Sequence, residues 1–292
     1  MLEGVFTAIV TPFKDGVIDI TALEKIIEAQ IKGGVDGIVP AGTTGESPTV
    51  SFKEHESFIK EVVRIVHGRV KVIAGAGANN TDEAVHLSKS AEAAGADFVL
   101  QVNPYYNRPP QKGLIAHFEK IATSISIPVV LYNIPGRTAV NFLPESVKEL
   151  LNRTGNIAAM KEASGDIGQM MRLIEICGDK ISILSGDDNM FLPLLSVGGK
   201  GLVSVLSNIL PFEMRQVYTL FTSGKTFEAK ESFARLLPLC RAIFMETSPI
   251  PIKAVMAMAG YCTYDMRLPL LPLEQDKRAE LKRIFNEHGV SL

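Results

Sequence analysis

The strongest constraint in this sequence is a recurrence of short apolar runs, rich in Val and Ile, that begin at Val5, Asp36, Lys71, Phe98, Val129, Ile157, Ile181 and Leu202. Successive starts lie 21 to 35 residues apart, which is room for one strand, one helix and two loops each time. Stretches with helical period separate most of them, such as TALEKIIEAQIKGG, SFKEHESFIKEVVRIVHG and TDEAVHLSKSAEAAG. The runs are apolar throughout rather than alternating, as expected of parallel strands covered on both faces. Eight such units without a Gly/Pro/Ser-rich linker predict an α/β fold, a closed (β/α)8 TIM barrel.

Boundaries are marked as well. Glycine precedes the next strand in GGVDGIV, AGADFVL, CGDKISIL and GGKGLVSVL, where a left-handed residue can stop a helix. Thr81 reads as the N-cap of the third helix, with Asp82 and Glu83 in its first turn. The eighth helix is expected after Pro211, and helical patterns continue at Thr226–Phe244, Ile250–Met258 and Leu273–Phe285. The expected organisation is a catalytic barrel over residues 1–224 and a C-terminal helical extension over 225–292.

Composition narrows the function. The 292 residues carry 30 Lys and Arg against 32 Asp and Glu, a formal net charge of −2, without the basic excess of a nucleic-acid binder. The three cysteines, Cys177, Cys240 and Cys262, lack metal or redox spacing, so a reducing compartment is expected. No run of about 18 apolar residues occurs and the N-terminal segment is not leader-like, so the expected setting is the cytoplasm, with no membrane partner.

In a barrel the reacting groups gather at the C-terminal ends of the strands. Those ends carry TPF, AGTTGES, GAGANN, NPYYNRP, YNIPGRT, KEASG, SGDD and SVLSN. Lys161, directly after the sixth run, is the most informative residue. Burial favours the neutral, nucleophilic form of an amine. Position alone also allows a lysine paired with Glu162 or reaching to solvent. Tyr132 closes the neighbouring run, either as packing or as a proton relay for carbinolamine chemistry. Arg137, in a Pro-Gly turn, is placed to grip a carboxylate or simply to face solvent.

The GTTGE loop, Gly42 to Glu46, offers two hydroxyls and several N–H groups for a small anion, without the P-loop pattern. GAGANN is an incomplete dinucleotide fingerprint. The histidines, His55, His67, His86, His117 and His288, fall in helical stretches or near the C-terminus, which argues against a His-activated nucleophile or a metal centre. Asp187 and Asp188 read as helix caps after the seventh strand. Together these groups suit imine chemistry on a 2-oxo acid, with no external cofactor.

GTTGES, NPYYNRP, YNIPGRT, MKEASGD and SGDD resemble the diagnostic segments of the dihydrodipicolinate synthase family of pyruvate-dependent lyases and aldolases, to which N-acetylneuraminate lyase also belongs. The resemblance runs from TAIVTPF through FMETSPIPIK and implies condensation of pyruvate with L-aspartate 4-semialdehyde in diaminopimelate and lysine biosynthesis. It implies that Lys161 forms the Schiff base and that Tyr132, Thr44 and Tyr106 relay protons, with Tyr106 contributed across a dimer interface. Thr43 and Thr44 would hold the pyruvate carboxylate, Arg137 that of the semialdehyde, and Gly186 and Val203 would line the pocket.

A homotetramer, a dimer of tight dimers, is implied too. The arginine of YNIPGRT favours the semialdehyde over 2-keto-3-deoxy sugar acids, the alternative substrates. The coexistence of Lys161, Tyr132, Thr44 and Tyr106 speaks against a non-catalytic barrel. A candidate effector site for lysine falls on Ser47, His55, Asn79, Glu83 and Tyr105. Pro48 and Phe52 depart from the pattern of sensitive enzymes, so weak or absent inhibition is expected.

Overall fold

The computed structural model describes residues 2–292. Eight parallel strands close a barrel: β1 (Gly4–Ala8), β2 (Gly37–Val39), β3 (Lys71–Gly75), β4 (Phe98–Val102), β5 (Val129–Asn133), β6 (Ile157–Glu162), β7 (Ser182–Ser185) and β8 (Gly201–Ser204). Closure comes from β1, which pairs with β2 on one side and β8 on the other. Helices α1 (Ile20–Lys32), α2 (Phe52–Val66), α3 (Thr81–Ala93), α4 (Gln111–Ala122), a one-turn α5 (Pro135–Thr138), α6 (Pro144–Arg153), α7 (Ile167–Cys177), α8 (Phe191–Ser196) and α9 (Pro211–Thr222) surround it. Three more follow: α10 (Thr226–Ala242), α11 (Ile250–Met258) and α12 (Gln275–Glu287).

The apolar runs are explained by two separate burial environments. Phe6, Val39, Ile73, Leu100, Val130, Ala159, Leu184 and Val203 fill the barrel interior. Val5, Ile38, Val72, Val99, Leu131, Met160, Ile183 and Leu202 belong to the larger core between strands and helices. Successive side chains of a strand point to opposite faces, so a strand buried on both reads as a nearly continuous apolar run, broken here by buried polar side chains such as Thr7, Gln101 and Ser182.

One irregularity sets which side chains of β5 and β6 face each other. Between β5 and β6 the register shifts: Val129 pairs with Ile157, but Val130 pairs with Ala159. The extra residue, Ala158, brings Tyr132 opposite Lys161 instead of Met160. A one-residue slip reverses which face a side chain serves, so this bulge decides which strand-six residue stands beside the tyrosine.

Several boundaries differ from expectation. Asn80, not Thr81, caps α3, its side chain accepting from the Asp82 N–H. Asn is at least as good a cap, and the Thr81 hydroxyl instead bonds His117 Nδ1. Gly34, Gly95 and Gly198 are left-handed as expected, whereas Gly178 caps α7 in the right-handed region. Asp187 and Asp188 make no side-chain cap; Asp188 accepts from Ser204 Oγ and Val205 N–H and so joins the ends of β7 and β8. A short hairpin, Phe13–Lys14 with Val17–Ile18, precedes α1. Among the described residues no helix is long and apolar enough to cross a membrane.

Candidate active site

Lys161 lies inside β6 rather than after it, two residues beyond Ala159 on the interior face. It is 5% exposed, and its Nζ stands 4.1 Å from the centroid of the Tyr132 ring. Glu162, its chain neighbour, points the other way. It is fully buried and accepts from Asn133 Nδ2, Gln169 Nε2 and the Ser164 N–H, a set that leaves Lys161 without it. Burial raises the Glu162 pKa, and those hydrogen bonds oppose the rise. Among the described residues Lys161 has no ion-pair partner within 4.0 Å.

Gly186 follows β7 directly over this amine. A Cβ there would fall 2.6 Å from Ala163 Cβ and 3.0 Å from Lys161 Cε, so only glycine leaves the lysine its path. Val203 is fully buried in the same interior cluster as Tyr132. Asp187 is the carboxylate that senses Lys161: burial raises its pKa and the lysine charge pulls it back.

Across the mouth, the loop after β2 presents Thr43 and the buried Thr44. Ala41 and Glu46, the residues flanking Gly42–Gly45, have φ of +53° and +55°. Tight turns join Gly45 N–H to Gly42 O and Glu46 N–H to Thr43 O, and Thr11 Oγ1 donates to Gly45 O at 2.6 Å. Thr43 and Tyr132 share a small cavity of about 40 Å³ with Leu100 and Val102.

A larger cavity of about 400 Å³ adjoins it, lined among others by Thr43, Ser47, His55, Glu83, Tyr105 and Arg137. Arg137, on α5, is exposed and donates from Nη2 to Ser248 O at 2.9 Å. His55 Nε2 meets Gly75 O at 2.6 Å, and burial lowers its pKa. Burial and the Glu83 charge together raise the Tyr105 pKa. Asn79 lies at the rim, donating to Tyr105 O and accepting from Asn107 Nδ2. The single chain thus gathers Lys161, Tyr132, Gly186 and Val203 at one place and Thr43, Arg137 and four of the five candidate effector residues around the adjoining space.

Tyr106 is not brought to either. It is 91% exposed, at φ +72°. Sequence reasoning missed Lys253, a fully buried lysine of α11 that meets Glu46 of the GTTGES loop. Its signal was a lone charge in the apolar helix IPIKAVMAM. Burial pushes the Cys177 and Cys262 thiols up to about 11, which keeps them protonated near neutral pH.

Comparison with known proteins bears on the whole chain and its fold. The profile of the "Dihydrodipicolinate synthetase family" matches residues 1–288. The 4-hydroxy-tetrahydrodipicolinate synthase of Leptospira biflexa serovar Patoc is 50% identical, over 99% of this chain and all of its own. The structure of the 4-hydroxy-tetrahydrodipicolinate synthase from Methylacidiphilum fumariolicum SolV superposes with a TM-score of 0.97 at 46% identity, covering 99% of this chain and 96% of that one. Dihydrodipicolinate synthase from Aquifex aeolicus gives 0.98 at 39% identity, covering all of this chain and 99% of its own. By sequence along its whole length and by fold, the chain belongs to the dihydrodipicolinate synthetase family.

Proposed function

We propose that this chain is a 4-hydroxy-tetrahydrodipicolinate synthase, condensing pyruvate with L-aspartate 4-semialdehyde through an imine on Lys161. The observation that carries the reading is a buried lysine with no carboxylate within 4.0 Å among the described residues, facing a tyrosine and roofed by a glycine at the barrel mouth. The amine adds to the pyruvate C2 carbonyl and water leaves, giving the imine. The imine draws electrons from C3, whose proton is lost, and the resulting enamine attacks the aldehyde carbon of the semialdehyde. Its amino group then displaces Lys161 from C2 and closes the ring. Every electron pair stays within the two substrates and the lysine, so the reaction needs no external cofactor.

Tyr132 and Thr44, with Tyr106 of the partner subunit, relay the protons of these steps. A solitary surface loop has no reason to hold a tyrosine left-handed and exposed, which supports its use in a homotetramer built of tight dimers. Thr43 and Thr44 hold the pyruvate carboxylate, Arg137 receives that of the semialdehyde, and Gly186 and Val203 shape the pocket. Residues 225–292 serve as a helical extension of the barrel in residues 1–224, and the setting is the cytoplasm.

Ser47, His55, Asn79, Glu83 and Tyr105 form an effector site with a weakened response to lysine. The exposed Phe52 and Pro48 stand at its rim, and the bond to Gly75 O engages one ring nitrogen of His55. A coupled assay tests both readings. Condensation with L-aspartate 4-semialdehyde should far exceed turnover of 2-keto-3-deoxy sugar acids, and millimolar lysine should change the rate little. Preferential cleavage of the sugar acids would overturn the substrate assignment, and strong inhibition the effector reading.

A further inference from the structure

We infer that Lys253 is a positioning residue for the pyruvate-binding loop, acting through a buried ion pair with Glu46. The inference rests on the pyruvate reading of that loop. Lys253 lies on α11, outside the eight strand–helix units, among seven consecutive buried residues of which it is the sole charge. Its Nζ meets Glu46 Oε1 at 2.5 Å, across 207 residues of sequence. Both side chains are 1% exposed or less. The other carboxylate oxygen accepts from the Arg267 backbone N–H at 3.2 Å, so each Glu46 oxygen is engaged by the C-terminal segment.

Arg267 completes the attachment. Its guanidinium donates to Thr49 O, to Gly16 O and to both oxygens of Glu54. The Lys253 ammonium and the Arg267 guanidinium lie 4.3 and 4.4 Å from the centroid of the same ring, Phe13. The segment from Ile250 to Arg267 therefore grips the loop at Glu46, at Thr49 and at the hairpin beside it.

Stability alone does not account for this pair. Removing two charges from water is costly, and apolar residues of similar volume often hold a core as well or better. What an ion pair supplies and an apolar contact does not is one defined position for the carboxylate. Glu46 is left-handed, as is Ala41 at the other end of the loop, a conformation non-glycine residues keep only when their surroundings hold them. Thr44 and Thr43 are two and three residues away. Fixing Glu46 fixes the turn in which Glu46 N–H bonds Thr43 O, and hence where the two hydroxyls meet a substrate carboxylate.

The test compares wild type with Lys253→Met, Glu46→Gln and the double variant, which removes both charges while nearly preserving volume. Folding is followed by circular dichroism and oligomer size. The double variant should raise the pyruvate KM at least tenfold and leave the aspartate semialdehyde KM within twofold. Borohydride should still trap pyruvate on Lys161 at saturation. A folded double variant with a wild-type pyruvate KM overturns the inference, as does an equal change in both KM values. If the double variant does not fold, Lys253→Arg decides: a pyruvate KM raised threefold or more, with the other unchanged, supports the role, and an unchanged one overturns it. Failure of wild type to trap pyruvate strikes the functional reading itself, whereas normal trapping with an unaffected variant strikes only this inference.

Discussion

Lys161 and Lys253 are both buried, and each stands over an aromatic ring, Nζ 4.1 Å from the Tyr132 centroid in one case and 4.3 Å from Phe13 in the other. They differ in what else they meet. Lys253 is bound to Glu46 at 2.5 Å; burial lowers its pKa and the carboxylate opposes that pull. Lys161 stands between strand ends, with Glu162 turned to the far side of the sheet and Gly186 leaving open space over its chain. Burial by itself therefore does not mark a reactive amine. What sets Lys161 apart is that, among the described residues, no carboxylate lies within ion-pair distance of it and Gly186 leaves room over its chain.

The most direct way to break this comparison is covalent. With pyruvate and borohydride, the adduct should map to Lys161 alone, and Lys161→Ala should lose both the adduct and at least about 10³-fold in kcat. Label on Lys253 in the wild-type protein, read by peptide mapping, would show that the ion pair does not set the two lysines apart. Next in size is Tyr132→Phe. The ring and its contact with the lysine remain and only the hydroxyl goes, so kcat should fall by about 10²–10³ with imine still trapped. An unchanged kcat would reduce Tyr132 to packing against Lys161.

How far these features could be read from sequence depends on their range. Strands covered on both faces are apolar at most positions, so all eight announce themselves as runs; the strand Phe98–Val102 and the helix Ile250–Met258 agree to the residue. Lys161 and Tyr132 were legible because strand ends in a barrel converge. The bulge that sets them opposite each other was not, since one inserted residue leaves no mark in an apolar run. The hairpin escaped notice because each strand has two residues, although its Asp15-Gly16 turn, with φ of +52° and +80°, is a known hairpin signal. The Lys253–Glu46 pair joins residues 207 apart, and no local pattern reports such a contact. Tyr106 sits in a readable motif, yet a single chain leaves it facing solvent.

His117 sharpens the comparison with a third buried base, one that among the described residues pairs with no carboxylate. Its Nδ1 meets Thr81 Oγ1 at 2.9 Å, its Nε2 has no partner among the described residues, and burial lowers its pKa to about 4. A histidine in the unfolded chain titrates near 6.5. Between those values the unfolded state binds the proton and the native state does not, so stability rises with pH across the window. The contribution is fully present above about pH 7 and is lost as pH falls from 6.5 toward 4. At pH 5 the loss amounts to about 2 kcal/mol, equivalent to roughly 3 °C in Tm for a chain of this size. His117→Gln keeps a polar group opposite Thr81 but cannot titrate, so its Tm should fall less than that of wild type between pH 7 and pH 5. His55, also buried with a lowered pKa, remains in both proteins and cancels in the difference. Parallel Tm curves would mean that His117 takes up its proton in place, and that burial without a charged partner is not enough to keep a base neutral in this fold.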